Sequence, residues 1–129
     1  MTGDFSRDTY RAEKHYRSVR MQQGRVQLDA DWNEQVDIGT HRMDTEAADV
    51  IGQVGGSYSG AGFELAPVES EGPDGERRRD LSISAGHYYV DGRLCENHEH
   101  VTYLAQPDLP DLSLPTDPGV YLAYLDVWE

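Results

Sequence analysis

The chain has 129 residues, and its 24 Asp and Glu residues outnumber its 11 Lys and Arg residues, which gives a formal net charge of −13. This acidic excess argues against a surface that binds nucleic acid or an anionic membrane, because phosphate groups would be repelled. A chain of this length is expected to form one domain around one small core.

The cysteine content and the hydropathy of the sequence indicate the cellular compartment in which we expect the protein. Cys95 is the only cysteine, so no disulfide can form within the chain, and assembly in the cytoplasm is the simplest expectation. The first residues contain no apolar segment, and apolar runs elsewhere are only a few residues long. We therefore expect neither a signal peptide nor a membrane span. The acidity itself suits either a high-salt environment or an acidic interaction surface.

Residues 1–20 are predicted to form an extended docking arm. They are polar and charged, and their only large apolar side chains are Phe5, Tyr10, Tyr16 and Val19. A segment with so few apolar anchors orders on contact with a surface rather than folding alone. We expect the arm to lie on a partner.

Residues 21–52 are predicted to form a turn followed by a helix. Gly24 and Arg25 interrupt an extended approach, and Asp31 with Glu34 three residues later is the acidic form of a capping box. The helix is expected from Asp31 to Ile51, with Gly52 closing it in the left-handed region. Capping and the helix dipole account for the acids at the helix start, so we do not interpret them as a catalytic pair.

The apolar positions of this helix form a sparse stripe. They recur at steps of three and four and lie close to a heptad pattern, which would let two or three helices pack together. A single helix lying on the β layer of its own chain is the alternative. A glycine within a helix costs about 1 kcal/mol relative to alanine, so Gly39 is expected to serve the close approach of another backbone. The stripe consists of Leu28, Trp32, Val36, Gly39, Met43, Ala47 and Val50.

Residues 53–129 are predicted to form an antiparallel β domain, which makes the fold class α+β. SYSGAG and ESEGPDGERRR read as loops around a strand-like GFELAPV, and strands are expected in DLSIS, HYYVDGRLCE, HVTYLA and VYLAYLDVW. Asp91-Gly92 is a tight hairpin signal, and a segment with four prolines precedes the last strand. Because a strand pattern runs to Glu129, we expect the domain to continue beyond it.

Candidate reactive groups are few. Cys95, His98 and His100, with His87 across the hairpin from Cys95, include the residue types that bind zinc, but the spacing lacks the paired ligands of a typical site. Arg77–Arg79 beside several acids is interpreted as a solvated, self-compensated loop. We predict no metal, no cofactor and no catalytic residues. An enzyme that uses Cys95 and His98 is the least favoured hypothesis.

Paired aromatic residues give the main alternative function. Tyr88 with Tyr89, Tyr121 with Tyr124, and Trp128 lie in the predicted strands, where exposed rings could stack on sugars. Since alternation along a strand puts neighbouring side chains on opposite faces, one of each pair is expected in the core. A non-catalytic module that binds a glycan or another surface ligand therefore stays open.

Several segments together resemble a known domain family. The segments GDFSRDTY, HYRSVRMQQGRVQLDADWNEQVDI, GFEL, DLSISAGHYYVDGRLCEN and YLAYLDVWE occur in this order. They resemble a family found at the front of larger proteins encoded in gene clusters for phage-tail-like contractile injection systems. The order is also distantly similar to the front domain of myophage baseplate and tail-fibre proteins. The long acidic loop at residues 69–79 departs from that pattern.

The resemblance implies a structural role without catalysis. The arm and helix would dock a baseplate or tail-fibre protein on the particle, and the partners would be baseplate, tube or sheath proteins. Because tail fibres are commonly trimers, the resemblance favours three copies around a helical seam. The residues expected at this interface are Phe5, Arg7, Tyr10, Tyr16, Gly24, Arg25, Gln27, Trp32, Val36, Gly39, Met43 and Val50.

Overall fold

The computed structural model describes residues 5–72 and 74–128, and it contains one long α-helix and two small antiparallel sheets. This confirms the predicted α+β class. The helix is α1 (Asp29–Ile51), and the strands are β1 (Val54–Gly55), β2 (Leu65–Glu71), β3 (Arg77–Ile83), β4 (Gly86–Val90), β5 (Arg93–Asn97) and β6 (Val101–Thr102). Short 3-10 turns lie at Ala12–Lys14 and Tyr103–Ala105. Within the described residues, no helix is long and apolar enough to cross a membrane.

The helix begins two residues earlier than the sequence predicted. Its N-cap is Leu28, whose side chain has no acceptor atom, and Asp31 occupies the third helical position instead of the cap. The Leu28 backbone N–H donates to Asp31 Oδ2 at 3.2 Å. Of the two hydrogen bonds of a capping box, only the one from the N-cap backbone N–H to the side chain at the third helical position is therefore present. The predicted cap residue was wrong because an acid in the first turn can satisfy a backbone donor without being the cap.

Gly52 ends the helix, as predicted, but not in the left-handed helical conformation. Its φ is +99° and its ψ is −175°, and its N–H donates to the Ala48 carbonyl at 2.8 Å. This region of backbone space is essentially restricted to glycine. Because the ψ of Gly52 is extended, the chain continues directly from the helix into β1 and does not fold back around the helix end.

The first sheet has the strand order β1-β4-β5, and its central hairpin is the predicted one. Val90 pairs with Arg93 across Asp91 and Gly92, whose φ angles of +50° and +81° fit a type I′ turn. A Cβ on Gly92 would lie 2.1 Å from the Asp44 carbonyl oxygen. The hairpin tip thus rests on the backbone of α1.

Gly92→Ala should lower the free energy of unfolding by about 3 kcal/mol or more, because positive φ and a clash with backbone act together. Gly60→Ala is the matched control, since Gly60 also has positive φ (+78°) but open space around its Cβ position. It should cost only about 1–2 kcal/mol. Urea unfolding of both variants measures the difference, and equal costs would show that the hairpin tip does not press on the helix.

The second sheet has the order β2-β3-β6 and corrects the prediction of a long acidic loop. The strands β2 and β3 pair without interruption from Leu65 with Ile83 to Glu71 with Arg77. Arg77, Arg78 and Arg79 therefore lie on a strand. Arg77 forms an ion pair with Glu69 at 3.4 Å, and Arg78 forms one with Asp74. The expected charge compensation is therefore found for two of the three arginines. Both ion pairs are exposed and stabilise the fold little.

The C-terminal part of the described chain has no helix or strand after Ala105, contrary to the strand predicted in VYLAYLDVW. HVTYLA is a strand only at Val101–Thr102 and then turns into a 3-10 helix. Val120 and Leu122 are 103% and 86% exposed. The alternating pattern is present, but a strand forms only where another strand supplies hydrogen-bond partners, and residues 120–128 pair with no strand among the described residues.

The core is thin for a chain of this length. The buried apolar side chains of the described residues are Ala30 and Ile38, at 1% and 7% exposure. The small core that the sequence predicts therefore consists of a few contacts beneath the helix. Many large apolar side chains are exposed to solvent. Such exposure in a folded domain usually marks a surface that another molecule covers.

One buried charge organises the second sheet. Asp80 on β3 is 3% exposed, and its Oδ1 accepts from the backbone N–H groups of Leu81 at 2.8 Å and Leu104 at 3.2 Å. Burial raises the pKa of this carboxyl, but the hydroxyls of Thr102 and Ser70 and these amides lower it, with a net pKa below its usual value. Among the described residues, Asp80 Oδ2 and the Thr102 hydroxyl make no hydrogen bond of normal geometry.

Candidate assembly interface

The arm lies on the helix of its own chain over its described residues. The Ser6 N–H donates to Asp29 Oδ2 at 2.8 Å, and its hydroxyl donates to Oδ1 of the same carboxylate. Further along, the Thr9 hydroxyl donates to Glu34 Oε2 at 2.6 Å. The helix acids thus hold the arm. A partner protein of the kind predicted for the arm would therefore contact a surface that the arm and the helix form together.

The arm then runs toward the helix C-terminus and returns. The ring of Tyr10 lies 6.3 Å from that of His41, centroid to centroid, and the Val19 N–H donates to Gln35 Oε1 at 2.8 Å. Gln22 to Arg25 form the reversal that leads back to the helix start. Gly24 has φ +76° and the Arg25 N–H donates to the Gln22 carbonyl at 3.2 Å, as a type II turn with glycine third requires.

Docking of the arm should weaken as pH falls. Hydrogen bonds from the Ser6 side chain and backbone hold the pKa of Asp29 below its usual value, so the docked arm favours the ionised carboxylate. Docking is then complete above the ordinary aspartate pKa of about 3.9 and is lost as pH falls through the lower folded value.

The amide resonance of Ser6 in NMR spectra reports this equilibrium. Asp29→Asn, whose neutral amide is a weaker acceptor, should loosen the contact of Ser6 with the helix at neutral pH and abolish the titration of that resonance. Asp49→Asn, which changes another exposed carboxylate on the same helix, should leave it intact. If Asp29→Asn leaves the position and the titration of the Ser6 amide resonance unchanged, arm docking through this hydrogen bond is contradicted.

The predicted apolar stripe occupies one face of α1 and is uncovered. At 3.6 residues per turn, Trp32, Val36, Gly39, Met43 and Val50 fall within roughly 60° of the helix circumference. The exposed fractions of Trp32, Met43 and Val50 are 61%, 65% and 79%. The buried Ala30 and Ile38 lie on the opposite side. The single chain therefore uses the other face of the helix for its own packing.

Gly39 has no packing role within the chain. A Cβ built on it would meet nothing within 4 Å, so no described residue explains its cost to the helix. The close backbone approach expected at this position has to come from outside the chain if it occurs. Of the remaining interface residues, Phe5, Arg7, Tyr16, Arg25 and Gln27 are exposed, and Tyr10 is half-buried.

The predicted interface residues do not form one patch. Tyr10 and Tyr16 border a groove between arm and helix, Val50 borders both this groove and the stripe, and Gly24 lies in the turn. Sequence reasoning missed the residues that hold the arm, Glu34 and Gln35. Their signal is weak, because polar residues on an amphipathic helix are expected on its solvated face in any case.

The candidate reactive groups His87 and Cys95 lie on the two strands of the hairpin in the first sheet. His87 pairs with Glu96 in the hairpin register and Tyr88 pairs with Cys95, so His87 and Cys95 face opposite sides. His87 does lie across the hairpin from Cys95, but one residue out of register with it. In residues 5–72 and 74–128 no three His, Cys, Asp or Glu side chains are grouped to hold a metal ion. Burial also raises the pKa of the Cys95 thiol, which disfavours the nucleophilic thiolate.

The acids at the helix start have structural partners. Asp29 and Glu34 accept from the arm, and Asp31 accepts from the backbone of Leu28. Capping, predicted for all three, explains only Asp31. The other two carboxylates are engaged in holding the arm.

Comparison with known proteins adds a family. The whole chain, residues 1–129, matches the model described as "Family of unknown function (DUF6519)". No curated protein and no solved structure matches it. The family description carries no activity.

Proposed function

We propose that this chain, which belongs to the DUF6519 family, is a non-catalytic structural component of a phage-tail-like contractile injection particle. In this proposal it docks a baseplate or tail-fibre protein onto baseplate, tube or sheath proteins through its arm and helix. The chain would assemble in the cytoplasm and then remain part of an intracellular or released particle. The resemblance of its sequence segments to domains encoded in such gene clusters supports the particle context.

One observation carries the assembly role. The exposed apolar stripe of α1 runs from Trp32 to Val50 and is uncovered by the described residues of its own chain. A stripe of this kind suits helix packing between symmetric copies. Its near-heptad spacing favours a small bundle, and a trimer is the state proposed here. The thin core supports the same conclusion, because covering the stripe would add apolar burial that the single chain lacks.

Particle incorporation tests the proposal. A tagged chain expressed in a strain that produces the particle should co-sediment with it, whereas Trp32→Glu should remain in the soluble fraction. Tyr58→Glu is the matched control, since Tyr58 is fully exposed in a loop that follows the helix and is not part of the stripe. Loss of incorporation for both variants, or for neither, would contradict docking through the stripe.

A glycan-binding module is the second candidate. The exposed aromatic side chains Tyr121, Tyr124 and Trp128 favour it, because such rings stack on sugars. A glycan array separates the two functions. Specific binding that Tyr124→Ala abolishes and Trp32→Glu preserves would favour the binding module.

A further inference from the structure

The helix α1 has different surroundings on its three faces. One face carries the uncovered stripe. Beyond the first turn, the arm contacts Glu34, Gln35 and His41. The hairpin tip approaches the backbone of Asp44, and β1 approaches the side chain of Ile51. At 3.6 residues per turn, these two groups lie roughly 100–140° from the centre of the stripe, in opposite directions. The arm side and the sheet side, as we call them, therefore flank the stripe.

The arm side has an excess of positive charge. Residues 5–25 contain six Lys or Arg and two Asp or Glu, a net charge of +4. The helix adds one arginine, Arg42, and four acids on this side, which brings the net charge of the arm side to +1. These acids are Asp31, Glu34, Glu46 and Asp49.

The helix acids do not neutralise the cations of the arm. Glu34 accepts from the hydroxyl of Thr9, which is uncharged. Among the described residues, the ion pair made by the six arm cations is that of Arg11 with Asp8, at 3.9 Å and within the arm itself. The arm is thus held on the helix by uncharged donors, and its exposed cations can contact another acidic surface.

The sheet side is strongly acidic. Residues 52–129 contain four Lys or Arg and 14 Asp or Glu, a net charge of −10, and Asp37 and Asp44 on the helix add two negative charges. These two aspartates make no ion pair with the described residues. The two sides of the stripe therefore differ greatly in charge, +1 against −12.

This difference separates the two ways in which copies can pack along the stripe. Parallel helices place the arm side of each copy next to the sheet side of its neighbour. Antiparallel helices place sheet side against sheet side and arm side against arm side. The antiparallel arrangement brings two sides of charge −12 together, and like charges across an interface cost several kcal/mol. The charge distribution therefore favours parallel helices.

We propose that copies of this chain pack along the stripe with their helices parallel, so that the basic arm of one copy contacts the acidic sheet side of the next. This inference rests on the proposed function, because it requires the seam along the stripe. Arg17 borders the groove beside residues 38–50 of α1, which places it at the height of Asp44 in a parallel neighbour. Three copies arranged in this way close a ring in which each arm contacts one neighbour.

Disulfide formation near the end of the helix tests the orientation. Val50→Cys in a Cys95→Ser background has one thiol per chain. Parallel copies bring these thiols to the same height, so covalent dimers should form as rapidly as with Met43→Cys. An antiparallel pair centred on the stripe separates them by about 27 Å, at about 1.5 Å per residue, which no disulfide can span. A size-tagged Trp32→Cys chain, mixed in equal amount, should form few disulfides with Val50→Cys.

A charge reversal tests the contact of the arm. Arg17→Glu should weaken self-association at least roughly tenfold in sedimentation equilibrium at low salt, and the difference from wild type should shrink as salt is raised. Arg79→Glu is the matched control, since Arg79 is exposed on β3 and makes no ion pair with the described residues. It should associate as the wild type does.

Three outcomes would overturn the proposal. Disulfides between positions 32 and 50 in preference to those between two position-50 thiols would show antiparallel helices. Cross-linking at position 43 without cross-linking at position 50 would leave the seam of the proposed function in place but exclude parallel packing. Equal association of Arg17→Glu and wild type would show that the arm does not contact the neighbouring copy.

Discussion

Met43→Glu should convert the assembled protein into a monomer without changing the fold of the single chain. Met43 is 65% exposed in the single chain, so the substitution removes little packing there. In a helical seam the same side chain is buried, and an unpaired carboxylate costs several kcal/mol, more than about a hundredfold in the association constant. Sedimentation equilibrium measures the oligomeric state, and circular dichroism checks the fold.

Tyr58→Glu should leave the oligomeric state as in the wild type, because it adds the same charge at an exposed loop residue. A wild-type chain that is monomeric at all concentrations would contradict a seam between copies. So would a Met43→Glu chain that assembles as well as the wild type.

Asp80→Ala should lower the free energy of unfolding by about 2–4 kcal/mol, because the buried N–H groups of Leu81 and Leu104 lose their acceptor. Asp80→Asn keeps an acceptor oxygen and should cost less. Glu69→Ala removes an exposed carboxylate on the neighbouring strand and should cost at most about 1 kcal/mol. Urea unfolding compares the three. A cost for Asp80→Ala no larger than that for Glu69→Ala would show that the carboxylate does not hold the sheet.

The pH dependence of stability should follow the same group. The folded pKa of Asp80 is below its usual value, so its contribution is fully present above the unfolded pKa. It is lost as pH falls through the folded pKa. Wild type and Asp80→Asn should therefore converge in stability toward low pH.

The sequence predicted those elements whose signals are local. The apolar spacing of α1 and the Asp91-Gly92 turn each depend on residues close in sequence, and both were confirmed. The cap was misplaced by three residues, from Leu28 to Asp31, because an acid at the third helical position gives the same pattern as a capping residue. Arg77–Arg79 were placed in a loop since glycine and acids dominate the segment before them.

Elements that depend on distant contacts could not be predicted. The strand expected at residues 120–128 has the right alternation but pairs with no strand among the described residues. Arm docking depends on Ser6 and Thr9 meeting Asp29 and Glu34, more than 20 residues away, and no spacing rule connects such positions.

Disulfide cross-linking at the helix face tests the central claim most directly. Met43→Cys in a Cys95→Ser background has one thiol per chain on the stripe, and symmetric copies packed along that face bring two of these thiols together. The account predicts rapid formation of covalent dimers on mild oxidation, and slow formation when the single cysteine is at Tyr58 instead. Equal rates at the two positions, or no cross-link at position 43, would contradict a seam formed by the apolar stripe.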